Sequence, residues 1–314
     1  MQMRAVSQDS QTPVVVGIGE ALFDCFPHRT ILGGAPVNFI VHVQQLLGSN
    51  GRAALISRIG HDELGKELER QLKSRGVATE YVQIDERRPT GQVQVRLSAS
   101  GDPEYEIAEN VAWDFMTFED SLMHLAKHCQ AVCFGTLSQR SIASRTVIYR
   151  FLEKAKNSIR LLDVNLRQHY FNTQILESSF MAATVVKLNE EELSTTCTLL
   201  SDRVGNAATV DDRAFALRKA FNLDLLALTR GAQGTVLYTR EGRVDAEPAA
   251  FAAAENADSV GAGDACSAGL VYGLLMQWPI ERILDLANRM GAFVASQPGG
   301  TPHLPNTLST ANME

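Results

Sequence analysis

Apolar residues in this chain fall into short unbroken runs, separated by stretches where they recur every three or four positions. Val14-Val15-Val16-Gly17-Ile18, Ala53–Ser57, Ala131–Gly135, Arg160–Asn165, Thr184–Leu188 and Leu225–Thr229 read as buried strands. Runs without polar alternation are what a parallel sheet covered on both faces requires. Helical patterns lie between them. Leu64, Leu68 and Leu72 recur at i, i+4 and i+8, with Gly76 at a C′ position. Val37, Ile40, Val41 and Leu47 mark another helix, led in through Gly33-Gly34-Ala35-Pro36. The alternation predicts an α/β fold, a doubly wound and mainly parallel sheet with helices on both faces and right-handed crossovers. Ligands in such sheets bind beyond the carboxyl ends of the strands.

One segment departs from this pattern. Gly91–Leu97 alternates at period two, Ser98 to Asp102 supplies a turn, and Tyr105 and Ile107 alternate again. That predicts an antiparallel hairpin, part of a small β lid formed by about 20–32 and 88–112. The remainder, 13–305, reads as one domain, with 1–12 and 306–314 as flexible tails.

Composition narrows the class. The 314 residues carry 29 Lys and Arg against 36 Asp and Glu, a formal charge of −7, and no basic stripe. The footprint of a nucleic-acid binder is therefore missing. No apolar run approaches the roughly 20 residues needed to span a bilayer, and the N-terminus lacks the apolar stretch of a signal peptide. Five cysteines, an odd and sparse set, fit a reducing cytosol better than a disulfide framework. A cytoplasmic protein with neither nucleic-acid nor membrane partners is expected.

Candidate chemistry concentrates at glycine pairs. In Asp258-Ser259-Val260-Gly261-Ala262-Gly263-Asp264, two glycines precede a helical run from Ala265 to Gln277. Free N–H groups at that helix start would form an anion hole. Asp264 at its mouth is either a proton-transfer group or an N-cap. Gly33-Gly34-Ala35-Pro36-Val37-Asn38 would admit a polyhydroxylated ligand, with Asn38 able to donate and accept, or is a simple turn with Pro near the helix start. Thr229-Arg230-Gly231-Ala232-Gln233-Gly234 suits a nucleotide phosphate or a tight β–β connection before Thr235–Thr239. Asn189-Glu190-Glu191-Glu192 reads first as a helix N-terminus with Asn at the cap.

Together these segments resemble the PfkB, or ribokinase-like, carbohydrate kinases over about residues 13–305. Gly33–Asn38 and Asp258–Asp264 look like the two hallmark regions of that family. Gly60-His61-Asp62-Glu63-Leu64-Gly65 resembles its G-x-D-x-x-G, Asn189 and Glu192 its N-x-x-E, Thr229–Gly234 its T-x-G-x-x-G, and Asn288 to Gly300 its adenine-side helix and turn. The resemblance implies an ATP-dependent phosphotransferase with a ribokinase-like fold. Asp264 would be the general base, with Gly261, Ala262 and Gly263 contributing the anion hole. Asp24, Gly33, Gly34, Asn38, Gln92 and Arg167 would hold the sugar. Asn189, Thr229, Gly231, Gly234 and Asn288 would hold the nucleotide. Glu192 would act on Mg²⁺ through water, and Asp258 and Ser259 would be a K⁺ site. Lid pairing would make a homodimer.

Asp163-Val164-Asn165-Leu166-Arg167 resembles the D-x-N-x-R of the fructokinase and 2-keto-3-deoxygluconate kinase branch. Acid-sugar kinases of that branch tend to carry Tyr-x-Arg on the lid. Here the stretch is Tyr105-Glu106-Ile107, which favours a neutral sugar, fructose first. Ser259 replaces the usual Thr, and Cys266 a usual aromatic. Rivals are a 2-keto-3-deoxygluconate kinase, a ribokinase or nucleoside kinase, and a sugar-phosphate kinase using Arg87, Arg88 and Arg96. A catalytically silent sugar-binding homologue is the rival outside enzymes.

Four features are expected to be decoys. Gly17-Ile18-Gly19 lacks the third glycine of a dinucleotide fingerprint. Ser267 in Ala265–Gly269 lies inside an apolar helix, where it would pack or back-bond. His124, His128, Cys129 and Cys133 divide between a helix and a strand and should not converge on zinc. His61 and His28 read as solvated.

Overall fold

Strand β1 (Val14–Ile18) is bordered on both sides by parallel neighbours, and its residues alternate between two separate cores: Val15 faces one, Val16 and Ile18 the other. In this computed structural model, which describes residues 12–26, 28–97 and 103–308, the chain continues through β2 (Leu22–Phe26), β3 (Arg29–Gly33), α1 (Ala35–Leu47), β4 (Arg52–Gly60) and α2 (Glu63–Ser74). Next come β5 (Val82–Asp85), β6 (Gly91–Leu97), β7 (Pro103–Ile107), α3 (Asp120–His128), β8 (Ala131–Phe134), α4 (Ile142–Lys154) and β9 (Ile159–Asp163). They are followed by α5 (Thr173–Ala182), β10 (Val185–Asn189), α6 (Glu190–Leu199), α7 (Ser201–Val204), α8 (Val210–Ala220) and β11 (Leu225–Thr229). The last elements are β12 (Thr235–Tyr238), β13 (Arg243–Asp245), α9 (Ala262–Leu275) and α10 (Ile280–Ala295).

The main sheet has the order β13-β12-β11-β10-β9-β8-β1-β4-β5, parallel except for β12 and β13. Helices α1, α2, α9 and α10 cover one face, and α3, α4, α5, α6 and α8 the other. This is the expected doubly wound arrangement. A second sheet, β3-β2-β6-β7, forms the small β unit, and the hairpin β6–β7 is antiparallel as its alternation predicts. The unit is not wholly antiparallel, because β2 runs parallel to β6. The Ser98–Asp102 turn and the side chains of Arg96 and Tyr105 lie outside the described residues.

Local chemistry accounts for the boundaries. Helix α2 starts at Asp62, whose carboxylate accepts from the Gly65 N–H, and ends at Gly76 with φ 75°. There the Val77 and Gly76 N–H groups close on the Leu72 and Lys73 carbonyls, a Schellman motif. Strand β9 ends at Asp163, two residues before the expected Asn165, whose φ of 40° leaves the extended region. Helix α9 begins at Ala262, three residues earlier than expected. The tail expected from 306 is docked up to Leu308, which is fully buried.

The small sheet is rooted through a third apolar cluster, Leu22, Val93, Ile107, Val111, Trp113 and Leu137. Arg140 lies 4.0 Å over the Trp113 ring and donates two 2.8 Å bonds to Asp114. A Cβ at Gly91 would stand 2.5 Å from Trp113 Nε1, so only glycine lets β6 start against the indole.

Candidate active site

Apart from Gln92 and Asn288, the expected site residues lie on β2, at the β3–α1 and β10–α6 junctions, in the loops after β9 and β11, and at the start of α9. Helix α9 contributes Asp264 from its third position. Its N-cap is Gly261, at φ 75°, with no side-chain cap. Asp264 is therefore not the N-cap, and its carboxylate is left for another partner. That partner is Asn38, on the first turn of α1, whose Nδ2 donates to Asp264 Oδ2 at 2.8 Å. Burial pushes Asp264 up to about 6, with Asp163 adding to the rise and Lys187, Asn38 and Arg167 opposing it. A carboxyl tuned upward in this way can take a proton near neutral pH.

The first-turn N–H groups of a helix lack intrahelical acceptors. Of those in the expected anion hole, the Ala262 N–H is already directed to the Ser259 carbonyl at 3.3 Å. The N–H groups of Gly261, Gly263 and Asp264 remain as the donors of the turn. The glycines of this loop admit the protein's own atoms. A Cβ at Gly261 would lie 2.5 Å from the Gly300 carbonyl oxygen, and one at Gly263 would lie 2.8 Å from Lys187 Nζ. The same holds at the other pair. A Cβ at Gly33 would meet Asp24 Oδ2, and one at Gly34, which has φ 102°, would meet the Glu20 carbonyl, each at 2.6 Å.

Asp24 projects from β2, and burial raises its carboxyl to about 6. Arg167, exposed in the loop after β9, interacts favourably with Asp24, Asp264 and Glu20. The charge of Arg167 thus acts on three carboxyls at once. Gln92 does not join them. It pairs in register with Phe23, and its Oε1 lies 3.6 Å from Cys25 Sγ. Period-two alternation therefore turns it to the face of the small sheet opposite Asp24.

Asn189 and Thr229, expected to hold a nucleotide, are register partners at the ends of β10 and β11. Gly231 and Gly234 follow at φ 55° and 77°. Asn288 is buried below this loop, and its Oδ1 accepts from the Thr235 N–H at 2.8 Å. It holds the loop, and its side chain does not line the open surface. Asn189 and Glu192 form a capping box. Both Glu192 oxygens accept backbone N–H groups, from Asn189 and Leu166. The helix-terminus reading of this segment stands, and Glu192, raised by burial, keeps one lone pair on each oxygen. Asp258 accepts from the N–H groups of Val260 and Gly299, tying its loop to the C-terminal turn, while Ser259 is exposed.

Several residues here were not expected. Glu20 follows β1, is buried, and is pushed by burial up to about 7. Helix α1 carries a polar stripe at i, i+4 and i+7, buried at Asn38 and His42 and half-buried at Gln45. Asn38 meets Asp264, His42 bonds the Gly300 carbonyl at 2.9 Å, and Gln45 bonds Pro302 and Leu304. That spacing on an otherwise apolar helix was a usable signal. Lys187 and Asp163 form a buried ion pair. Ser267 neither packs passively nor back-bonds, because its hydroxyl donates to Asp163 Oδ2 at 2.8 Å.

His124 and His128 stack on each other along α3, whereas Cys133 is buried in β8. Among the described residues no group of three or more His, Cys, Asp or Glu converges on a metal position. His61 is exposed beside Glu86. No helix among them is long and apolar enough to cross a membrane.

Residues 24–307 match the model of the pfkB family of carbohydrate kinases. A fructokinase from Escherichia coli is 29% identical over 307 residues, covering 92% of this chain and 95% of its own. Among solved structures, an uncharacterized sugar kinase from Pyrococcus horikoshii in complex with ATP superposes with a TM-score of 0.74 at 27% identity, covering 90% of this chain and 91% of that one. A Vibrio cholerae fructokinase with fructose, ADP and calcium bound gives 0.78 at 24%, covering 98% and 100%.

Proposed function

The chain belongs to the pfkB family of carbohydrate kinases, and from that premise we propose that it transfers the γ-phosphate of ATP to a hydroxyl of a small neutral sugar, fructose first. The observation that carries this reading is the placement of Asp264. It is a half-buried carboxyl at the positive end of α9, raised to about 6 and aimed by Asn38. The sugar hydroxyl gives its proton to Asp264 as its oxygen attacks the γ-phosphorus. The bond to the β–γ bridging oxygen breaks, and ADP leaves with that electron pair. The N–H groups of Gly263 and Asp264 face the charge on the transferred group.

Asp24, beside Gly33 and Gly34, offers two acceptor oxygens to vicinal hydroxyls, and Arg167 supplies the opposing charge. Thr229, Gly231 and Gly234 line the phosphates of ATP. The described donors suit Mg²⁺ held mainly by phosphate oxygens and water, with Glu192 acting through water. When bound, Mg²⁺ neutralises charge on the β- and γ-phosphates. The carboxylate and hydroxyl of Asp258 and Ser259 suit a K⁺ ion. Fructokinases among the relatives, and the fructose and ADP bound by the Vibrio cholerae protein, support fructose over other sugars.

The test is ADP release from MgATP over fructose, ribose, 2-keto-3-deoxygluconate, fructose phosphates and adenosine, with Asp264→Asn in parallel. Turnover with fructose that collapses in the variant is expected. Turnover confined to another panel member replaces the substrate. Absence of both turnover and ATP binding overturns the reading.

A further inference from the structure

Beneath the first turn of α9 lies a buried charge cluster that the transfer as described does not use. Lys187 on β10 and Asp163 on β9 are register partners. Lys187 Nζ donates to Asp163 Oδ2 at 2.8 Å, and Ser267, one turn after Asp264 on α9, donates to the same oxygen at 2.8 Å. All three side chains are at least nine-tenths buried. Three elements are thus tied at one atom.

The location is electrostatically odd. The ammonium presses against the start of α9 so closely that a Cβ on Gly263 would lie 2.8 Å from Nζ. A helix N-terminus carries partial positive charge, which disfavours a cation there. A buried ion pair also adds little stability over apolar residues of equal volume. Lys187 is nevertheless held charged: burial opposes the charge, but Asp163 and Asp264 outweigh it and raise the group.

We propose that Lys187 and Asp163, locked by Ser267, are positioning residues for this kinase: they fix the α9 start from below and set the buried field in which Asp264 exchanges its proton. The proposal rests on the kinase reading of the same site. The groups facing Asp264 are Asp163 and Lys187 below, Asn38 from α1, Arg167 from the loop after β9, Glu20 after β1 and Cys133 on β8. Asp163 and Lys187 act in opposite senses, so neutralising each one separately must move Asp264 in opposite directions. Loss of packing alone cannot produce that pattern.

The experiment is the pH dependence of kcat/KM for the best sugar, together with titration of the Asp264 carboxyl by ¹³C NMR, assigned by its loss in Asp264→Asn. Lys187→Met and Lys187→Gln are expected to move the acid limb and the carboxyl titration upward by about one unit, and Asp163→Asn to move both downward. KM for ATP should stay within about twofold of wild type, because the cluster touches no nucleotide group. If Lys187→Met does not fold, Lys187→Gln, which keeps a donor for Asp163, and Asp163→Asn decide the matter. Unmoved titrations, or shifts of the same sign in folded Lys187 and Asp163 variants, overturn the proposal. If the wild-type protein phosphorylates no sugar, the kinase reading fails separately, and the carboxyl titration still decides the cluster's role.

Discussion

Asn38 Nδ2 donates a 2.8 Å hydrogen bond to Asp264 Oδ2, joining the first turn of α1 to the first turn of α9 across 226 positions of sequence. The two glycine-led helix starts are therefore one device, with one helix aiming the carboxyl of the other. A hydrogen bond to the ionised form favours that form. Removing it with Asn38→Leu should raise Asp264 further and move the acid limb of kcat/KM upward. The loss at pH 7 should be about tenfold or more, since bonds to charged groups contribute roughly 1.5–3 kcal/mol. Steady-state rates from pH 5 to 9 would show it, and an unshifted limb would refute the aiming role.

Asp264→Asn should abolish sugar-dependent ADP formation by roughly 10²–10⁴-fold, the usual contribution of a positioned base. ATP binding should persist, because Asn fills the same space. In the wild type, activity should rise through about pH 6 as the carboxyl ionises.

Glu20 and Asp264 also tie stability to pH. Burial raises both in the folded state, Glu20 to about 7 and Asp264 to about 6. The folded protein therefore holds protons that the unfolded chain has already released between roughly pH 4 and 7, and stability falls as pH rises through that window. A two-unit rise is worth about 3 kcal/mol. Glu20→Gln should gain Tm at pH 8 over wild type and show little difference at pH 4. Thermal melts at the two values check this.

Two glycines at positive φ separate backbone strain from packing. Gly261 has φ 75° and the Gly300 backbone within 2.5 Å of a would-be Cβ, whereas Gly231 has φ 55° and open space. Gly231→Ala should cost about 1–2 kcal/mol, the penalty of a left-handed residue. Gly261→Ala should cost more and depress kcat, because the 299–300 turn must shift against Asn38. Denaturant midpoints and kcat for both variants give the comparison.

The root of the small sheet depends on Arg140. Its guanidinium is bidentate to buried Asp114, bonds the Ala108 carbonyl and covers Trp113. Arg140→Ala leaves the buried Asp114 carboxylate without a counter-charge, held only by the Val111 N–H, and should cost about 3–5 kcal/mol. The Arg140→Met, Asp114→Asn double variant should recover much of that in chemical denaturation. Equal losses in both would contradict the charge argument.

Much of the fold was legible in local pattern. Apolar runs such as Val14–Ile18 and Leu225–Thr229 predict strands covered on both faces, and Leu64, Leu68, Leu72 and Gly76 predict α2 with its stop, because periodicity and capping act within a few residues. Family membership was legible too, in motifs spaced along nearly the whole chain. The tertiary structure alone decided what those motifs touch. Gly263 yields space to Lys187 and Gly261 to the Gly300 turn, Gln92 faces away from Asp24, and the Asn288 Oδ1 and both Glu192 oxygens are taken up by backbone N–H groups. Asp163, Lys187 and Ser267, from three separate elements, meet at one buried oxygen. Such contacts join residues 24 to more than 200 positions apart. Their energetics depend on burial and on which charges share the buried space, and neither quantity exists until the sheets and helices have packed.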